Sequence, residues 1–228
     1  MRGFHLHPLI EKAKMEERHL LEPEALRLLR DYSIPVPRHR FVHTEAEALE
    51  AAQSLGLPVV MKVVSVDILH KTEAGGVVLN LQEERQVREA FAHLTSLEKA
   101  GHAIQGILVY PYEGYQVELS VGMLRDAQFG PVITFGLGGI WIEVLQDIAY
   151  GIAPLSFEEA EEMIQSIRGH SILAGARGKG PSDRKALSEL LVHLSRMVME
   201  EGDIREIDLN PVFPLERGFF IADVRILL

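Results

Sequence analysis

The sequence predicts an α+β chain folded as two lobes, and three features carry that prediction. Short apolar, strand-like runs alternate with amphipathic helical stretches. At Pro111-Tyr112-Glu113-Gly114 the texture changes, and a period-two alternation takes over. No internal repeat or low-complexity tract points to a solenoid or a linker-rich chain. The 228 residues suffice for one large core or two small ones.

Ala25 to Arg30 carries apolar residues at helical spacing and stops at Ile34-Pro35-Val36-Pro37, where the prolines force an extended exit. Thr44 is an N-cap for an Ala-rich helix that reaches Leu55-Gly56, with Glu45 and Glu47 in its first turn. Two β-like runs follow at 58–66 and 76–81, joined by a polar loop that ends in Gly75-Gly76. A helix over 83–100 places Val87, Phe91 and Leu94 on one stripe, and 106–110 is a short apolar strand.

Beyond Gly114, Val117, Leu119, Val121 and Met123 alternate with Glu118, Ser120 and Gly122, as in a strand with one buried face. A strand over 130–135 leads into the turn Gly136-Leu137-Gly138-Gly139. Helices are expected at 157–167 and 183–201, separated by the link Arg177-Gly178-Lys179-Gly180-Pro181. Two strands, 204–210 and 218–227, close the chain through a Pro-containing turn. The division is then an extension over 1–20, a larger lobe from 21–35 and 111–228, and a smaller lobe over 36–110, with the first helix packing back on the larger lobe.

Composition narrows the function classes. A net charge of −10 gives no bulk attraction for nucleic acid or an anionic membrane surface. The absence of cysteine removes disulfides, thiolate nucleophiles and Cys-based zinc sites. No apolar run is long enough to span a bilayer, and Met1 to Pro8 lacks the apolar core of a secretory signal, so a cytoplasmic protein is expected.

Several residues carry candidate chemistry. Lys62 shares a strand face with Val60 and Val64, so it is either an edge-strand lysine reaching water or a cation aimed at phosphates. His70 lies in the polar loop between two strands, flanked by Lys71, Glu73 and Asp67. Its imidazole suits a base, a ligand or a nucleophile, and a surface histidine is the plain alternative. The Gly136–Gly139 turn either offers backbone N–H groups to a phosphate or is only tight, and it fits neither the P-loop nor the Rossmann spacing. Glu143 and Asp147, just beyond it, either contact a metal or are solvated. In the closing strands, period two puts Glu206, Asp208 and Asn210 on one face and Ile207 and Leu209 on the other. A hairpin through 211–217 brings Asp223 beside Asp208 and Asn210, an all-oxygen set suited to Mg²⁺ or Mn²⁺. The alternative is a solvated face with Asp223 paired to Arg225.

Taken in order, the runs PVVMKVVSVDILHKTEAGGVVLNL, GILVYPYEGYQVELSVGMLRDAQFGPVITFGLGGIWIEVLQD, MIQSIRGHSILAGARGKGPSD and IREIDLNPV…IADVRI resemble the ATP-grasp β subunit of the ADP-forming (nucleoside-diphosphate-forming) acyl-CoA synthetases, relatives of succinyl-CoA synthetase. The resemblance spans roughly residues 20 to 228, and its DILHK–AGG loop and FGLGG run are the family-specific parts.

The resemblance implies an ATP-grasp fold, with ATP or ADP held between the two lobes. It makes Lys62 the phosphate-contacting lysine and Ile107 to Tyr112, with Val109 and Tyr110, the hinge that reads adenine through its backbone. Pro111 has no N–H, so Tyr112 is the expected donor there. Glu118 would lie near ribose and phosphates, Gly138 and Gly139 would cover the phosphates, and Asp208, Asn210 and Asp223 would hold Mg²⁺ (or Mn²⁺). His70 would take the phosphoryl group between a swinging histidine of an α subunit and ADP. Tyr150-Gly151 departs from the Phe-Arg frequent in the family, which removes any phosphate contact by that arginine. The family's CoA-binding and ligase domains have no counterpart in these residues, so an α partner, in an α2β2 assembly, is implied. A nucleotide-sensing module without turnover is the competing reading; retention of Lys62, His70, Asp208, Asn210 and Asp223 together favours the enzyme.

Overall fold

The computed structural model describes residues 6–68, 71–112, 114, 117–139, 146–175 and 180–228. The chain runs α1 (Pro8–Met15), α2 (Glu22–Asp31), β1 (Arg40–Val42), α3 (Glu45–Leu55), β2 (Val59–Ser65), β3 (Val77–Leu81), α4 (Glu84–Ser96) with a 3₁₀ turn at Leu97–Ala100, β4 (Ile104–Pro111), β5 (Leu119–Asp126), β6 (Gly130–Leu137), β7 (Ile148–Ile152), α5 (Phe157–Ser166), α6 (His170–Leu173), α7 (Arg184–Glu200), β8 (Glu206–Pro214), β9 (Phe219–Ile221) and β10 (Val224–Leu227). It divides into two compact units, residues 37–114 and residues 1–36 with 115–228. Among the described residues, no helix is long and apolar enough to cross a membrane.

In the smaller unit, Thr44 accepts the Glu47 N–H while Glu47 accepts the Thr44 N–H, a reciprocal cap that starts α3 where the sequence places it. Four antiparallel strands lie in the order β1-β4-β2-β3. Val59, Met61 and Val63 of β2, with Ile107 and Val109 of β4, face Ala48, Ala51 and Ala52 of α3 and Val87, Ala90 and Leu94 of α4. The small residues of α3 let that helix lie close on the sheet. Between the extended exit at Ile34–Pro37 and Thr44 the sequence patterning assigns no element; β1 forms there, and its three residues pair with β4.

The larger unit is built on the sheet β10-β8-β5-β6-β7, with β9 also pairing with β8. Its buried face carries Leu119, Val121, Met123, Ile133, Phe135, Ile207 and Leu209, covered by α5 and α7. Along α7, Leu187, Leu190, Leu191, Leu194, Met197 and Val198 form the buried stripe. Asp183 caps α7 through the Ala186 N–H (3.1 Å) and takes the Gly218 N–H (2.8 Å), tying the helix start to the β8–β9 turn. At the other end, the Arg125 guanidinium of β5 donates to the carbonyls of Val198 and Ile204 (both 2.9 Å), which satisfies the end of α7. The segment α1–α2 belongs to this unit, and α2 packs on β10. Tyr32 just after α2 donates to the buried Glu201 at 2.6 Å.

Two expectations are corrected here. The closing pair of strands is three: β8 runs on to Pro214, and its partner is broken at Ala222-Asp223 into β9 and β10. The edge strand β7, absent from the sequence reading, contains Gly151 and ends just before Pro154, so its pattern is masked by turn-forming residues.

Candidate functional site

Lys62 lies in β2, an interior strand, opposite Leu108 of β4 and Val77 of β3. It is 5% exposed, so the edge-strand reading fails: β4 covers the side that sequence order alone leaves open. Its side chain is on the face away from the α3–α4 core, and its Nζ lies 4.7 Å from the centroid of the Tyr110 ring. Tyr110 pairs with Val60, which puts it diagonal to Lys62 on that face. Burial with a π partner holds an ammonium in low dielectric, where its attraction for an anion is strongest.

The adenine-reading segment is arranged differently from expectation. Tyr112 N–H donates to the Pro58 carbonyl at 2.9 Å, continuing the β2–β4 ladder past Val59↔Pro111, so it is engaged within the sheet. Backbone groups alternate sides along a strand, so the Pro111 carbonyl points the other way, towards the side where β1 has ended at Arg40↔Val109. Val109 is flanked by β1 and β2 on both sides, which leaves its backbone committed to the sheet.

Glu118 and the paired glycines form one contact. Gly138 N–H donates to the Glu118 carbonyl at 2.7 Å, and a Cβ on Gly138 would lie 3.0 Å from the Glu118 backbone. Gly139, at φ +60°, brings its Cα against the Glu118 carboxylate, where a Cβ would sit 2.6 Å from Oε2. Glycine is required here by close approach and by backbone conformation. Glu118 itself is exposed. Asp147 is not solvated: it is buried, and its two oxygens accept the N–H groups of Arg168 and Gly169 at 2.7 Å each. His70 and Glu143 fall outside the described residues, as does the stretch Arg177–Lys179.

The oxygen-rich set lies on the larger sheet. Asp208 pairs with Gly122 on one side and Arg225 on the other. The registers Val212↔Ile221 and Leu209↔Val224 leave Ala222 and Asp223 against Asn210 and Pro211. Arg225 contacts Glu206 at 2.8 Å and Asp208 at 3.6 Å. Period-two parity with Asp223 already implies that Arg225 shares the acidic face, a signal the sequence reading used only for the pairing with Asp223. Burial pushes the Asp208 carboxyl above the ordinary range; Arg225 opposes this, while the Asp223 and Glu206 charges add to it. Carboxylates that raise one another's proton affinity are a fit for a hard divalent cation, and two carboxylates with one amide oxygen leave coordination positions for phosphate and water. Among the described residues, no group of three or more His, Cys, Asp or Glu is placed to hold a metal unaided.

Comparison with known proteins places this geometry. Residues 12–228 match the ATP-grasp domain family. The chain is 42% identical to the β subunit of acetate–CoA ligase [ADP-forming] I of Pyrococcus furiosus, over 96% of both chains. It is 40% identical to 4-hydroxybutyrate–CoA ligase [ADP-forming] of Nitrosopumilus maritimus, covering 96% of this chain but 32% of that one. The acetyl-coenzyme A synthetase 1 of Ca. Korarchaeum cryptofilum, solved with coenzyme A and Ca-AMPCP, superposes with a TM-score of 0.92 at 40% identity, over 96% of this chain and 98% of that one. A second structure of that protein holds coenzyme A and Mg-AMPPCP, with its phosphohistidine segment pointing towards the nucleotide-binding site (TM-score 0.84, 39% identity, the same coverage). The chain belongs to the ATP-grasp family, among the β subunits of the ADP-forming acid–CoA ligases.

Proposed function

We propose that this chain binds Mg-ADP and Mg-ATP for an ADP-forming acyl-CoA synthetase, acyl-CoA + ADP + Pi ⇌ carboxylic acid + CoA + ATP, and that His70 carries the phosphoryl group on its way to ADP. The observation that carries the reading is the placement of Asp208 and Asn210 on β8 with Asp223 at the β9–β10 break beside them, in a chain matched over 96% of both lengths by a β subunit of this enzyme class.

Neutral imidazole at His70 attacks a phosphohistidine brought by an α subunit. The donor P–N bond breaks as the His70 P–N bond forms. The terminal oxygen of ADP then takes the phosphoryl group from His70, which returns to its neutral state. Lys62 holds phosphate charge as a fixed cation, and Gly138 and Gly139 let backbone approach the phosphates. The Pro111 carbonyl is an acceptor for the adenine amino group, in place of a contact from Tyr112 N–H. Asp208, Asn210 and Asp223 would hold Mg²⁺ or Mn²⁺, which when bound offsets phosphate charge during transfer. The CoA and acid sites belong to the α partner, which the fused relatives carry in the same polypeptide; an α2β2 arrangement satisfies both.

The test is ATP formation by the chain reconstituted with its α subunit. His70→Ala is expected to abolish turnover while Mg-ADP still binds in calorimetry. Turnover within twofold of the unmodified enzyme sinks the relay.

A further inference from the structure

The sheet of the larger unit has one face covered by α5 and α7 and one face whose side chains can be read across the strands. One row of directly paired residues is Leu227–Glu206–Leu124–Val132–Ile152; the next is Arg225–Asp208–Gly122–Thr134–Tyr150. Paired residues in an antiparallel ladder share a face, so these two rows are adjacent on it. At the β10–β8 end the face is ionic, and towards β7 it is apolar. Leu124 is 56%, Ile152 55% and Tyr150 67% exposed, with half-buried Val132 between them, and Phe129 in the β5–β6 turn is 60% exposed. Four of the eleven large hydrophobic side chains exposed in the described residues therefore lie on β5, β7 and the β5–β6 turn. The strand β7 that presents two of them is also a sheet edge. Contiguous exposed apolar surface of this kind marks a protein contact.

We infer that the Leu124–Val132–Ile152–Tyr150 face is where the α subunit docks. This rests on the proposed function, and two observations select that occupant. In the 4-hydroxybutyrate–CoA ligase, this chain matches 32% of one continuous polypeptide, whereas the Pyrococcus β subunit is matched over 96% of its length. What fusion joins in the first must be joined by surface alone in the second. The patch begins on β5, the strand next to the one that carries Asp208 and Asn210: Leu124 is one pleat repeat, about 7 Å, from Gly122, the pairing partner of Asp208 on β8. A partner seated there delivers its phosphohistidine beside the carboxylates that meet the nucleotide.

The experiment is sedimentation and calorimetry of the full chain with its α subunit, alongside Mg-ADP titration of the chain alone. Leu124→Lys with Ile152→Lys is expected to weaken α association by about tenfold or more, with Mg-ADP affinity unchanged. Leu124→Ala with Ile152→Ala, which adds no charge, is expected to weaken it in the same direction and serves if the lysine variant misfolds. Leu79→Lys, at an exposed position on edge strand β3 of the other unit, is expected to leave association intact. Association of both double variants at wild-type strength overturns the patch, as does an equal loss from Leu79→Lys. A dimer of the chain alone that the double variants dissolve overturns it in favour of a second copy. Failure of the unmodified chain to bind any α subunit overturns the proposed function itself, and the docking face with it.

Discussion

The Lys62 ammonium sits 4.7 Å from the Tyr110 ring centroid, on a buried face of the smaller sheet. Lys62→Met keeps the length and fills the space without the charge. Its Mg-ADP affinity should fall by about tenfold or more, roughly 1.4 kcal/mol per decade. Calorimetry checks this, and unchanged affinity removes Lys62 from the phosphate site.

Asp208→Asn with Asp223→Asn should erase the metal-dependent part of nucleotide binding. For the unmodified chain, EDTA should weaken ADP binding; for the double variant, titrations with and without EDTA should coincide. A persisting metal effect would place the cation elsewhere.

Asp147 is held by two backbone N–H groups in a buried setting. Asp147→Ala leaves both donors without a partner, and each charge-assisted bond of this type contributes about 1.5–3 kcal/mol. A fall in unfolding free energy of about 3 kcal/mol is expected in urea titration, with the EDTA sensitivity of ADP binding retained. The reverse pattern, stable protein with lost metal response, would return Asp147 to the metal site.

The Asp183 carboxyl is held below the ordinary range by the N–H groups of Gly218 and Ala186. A depressed folded value means its contribution is present above the unfolded value of 3.8 and is lost as pH falls through the folded one. Asp183→Ala should therefore cost about 1 kcal/mol at pH 7, and the gap from the unmodified chain should narrow in urea titrations below about pH 3.8. A gap independent of pH would show that charge is not what the cap supplies.

How much of this was legible beforehand follows from what each residue's signal depends on. Alternation around Val121 and Ile207 assigns strand faces because period two is local, and the Thr44–Glu47 cap reads directly from two side chains three residues apart. The lateral position of β2 is not local. A chain that forms β2 and β3 and then returns as β4 can place β4 on either side of that pair, so spacing alone favours an edge-strand Lys62 that reaches water, and only the order β1-β4-β2-β3 makes it interior. Tyr112 N–H was misassigned for a related reason. Pro111 removes one donor, but which edge the next donor faces depends on registry with Pro58, which no sequence pattern states. Gly138 and Gly139 were legible as special, while the reason, close approach to Glu118, needed the pairing of β5 with β6.

The clasp of Arg125 on the carbonyls of Val198 and Ile204 joins the end of α7 to β5, the middle strand of the larger sheet. A helix terminus ordinarily frays by itself, on a faster clock than the strands beneath it. Here one guanidinium ties the two timescales together: Met197 to Glu201 cannot loosen without releasing a side chain rooted in the strand that also presents Gly122 to Asp208. Deuterium should therefore enter the last turn of α7 as slowly as it enters β5, and the sheet that carries the carboxylates gains its rigidity from the far side of its own core.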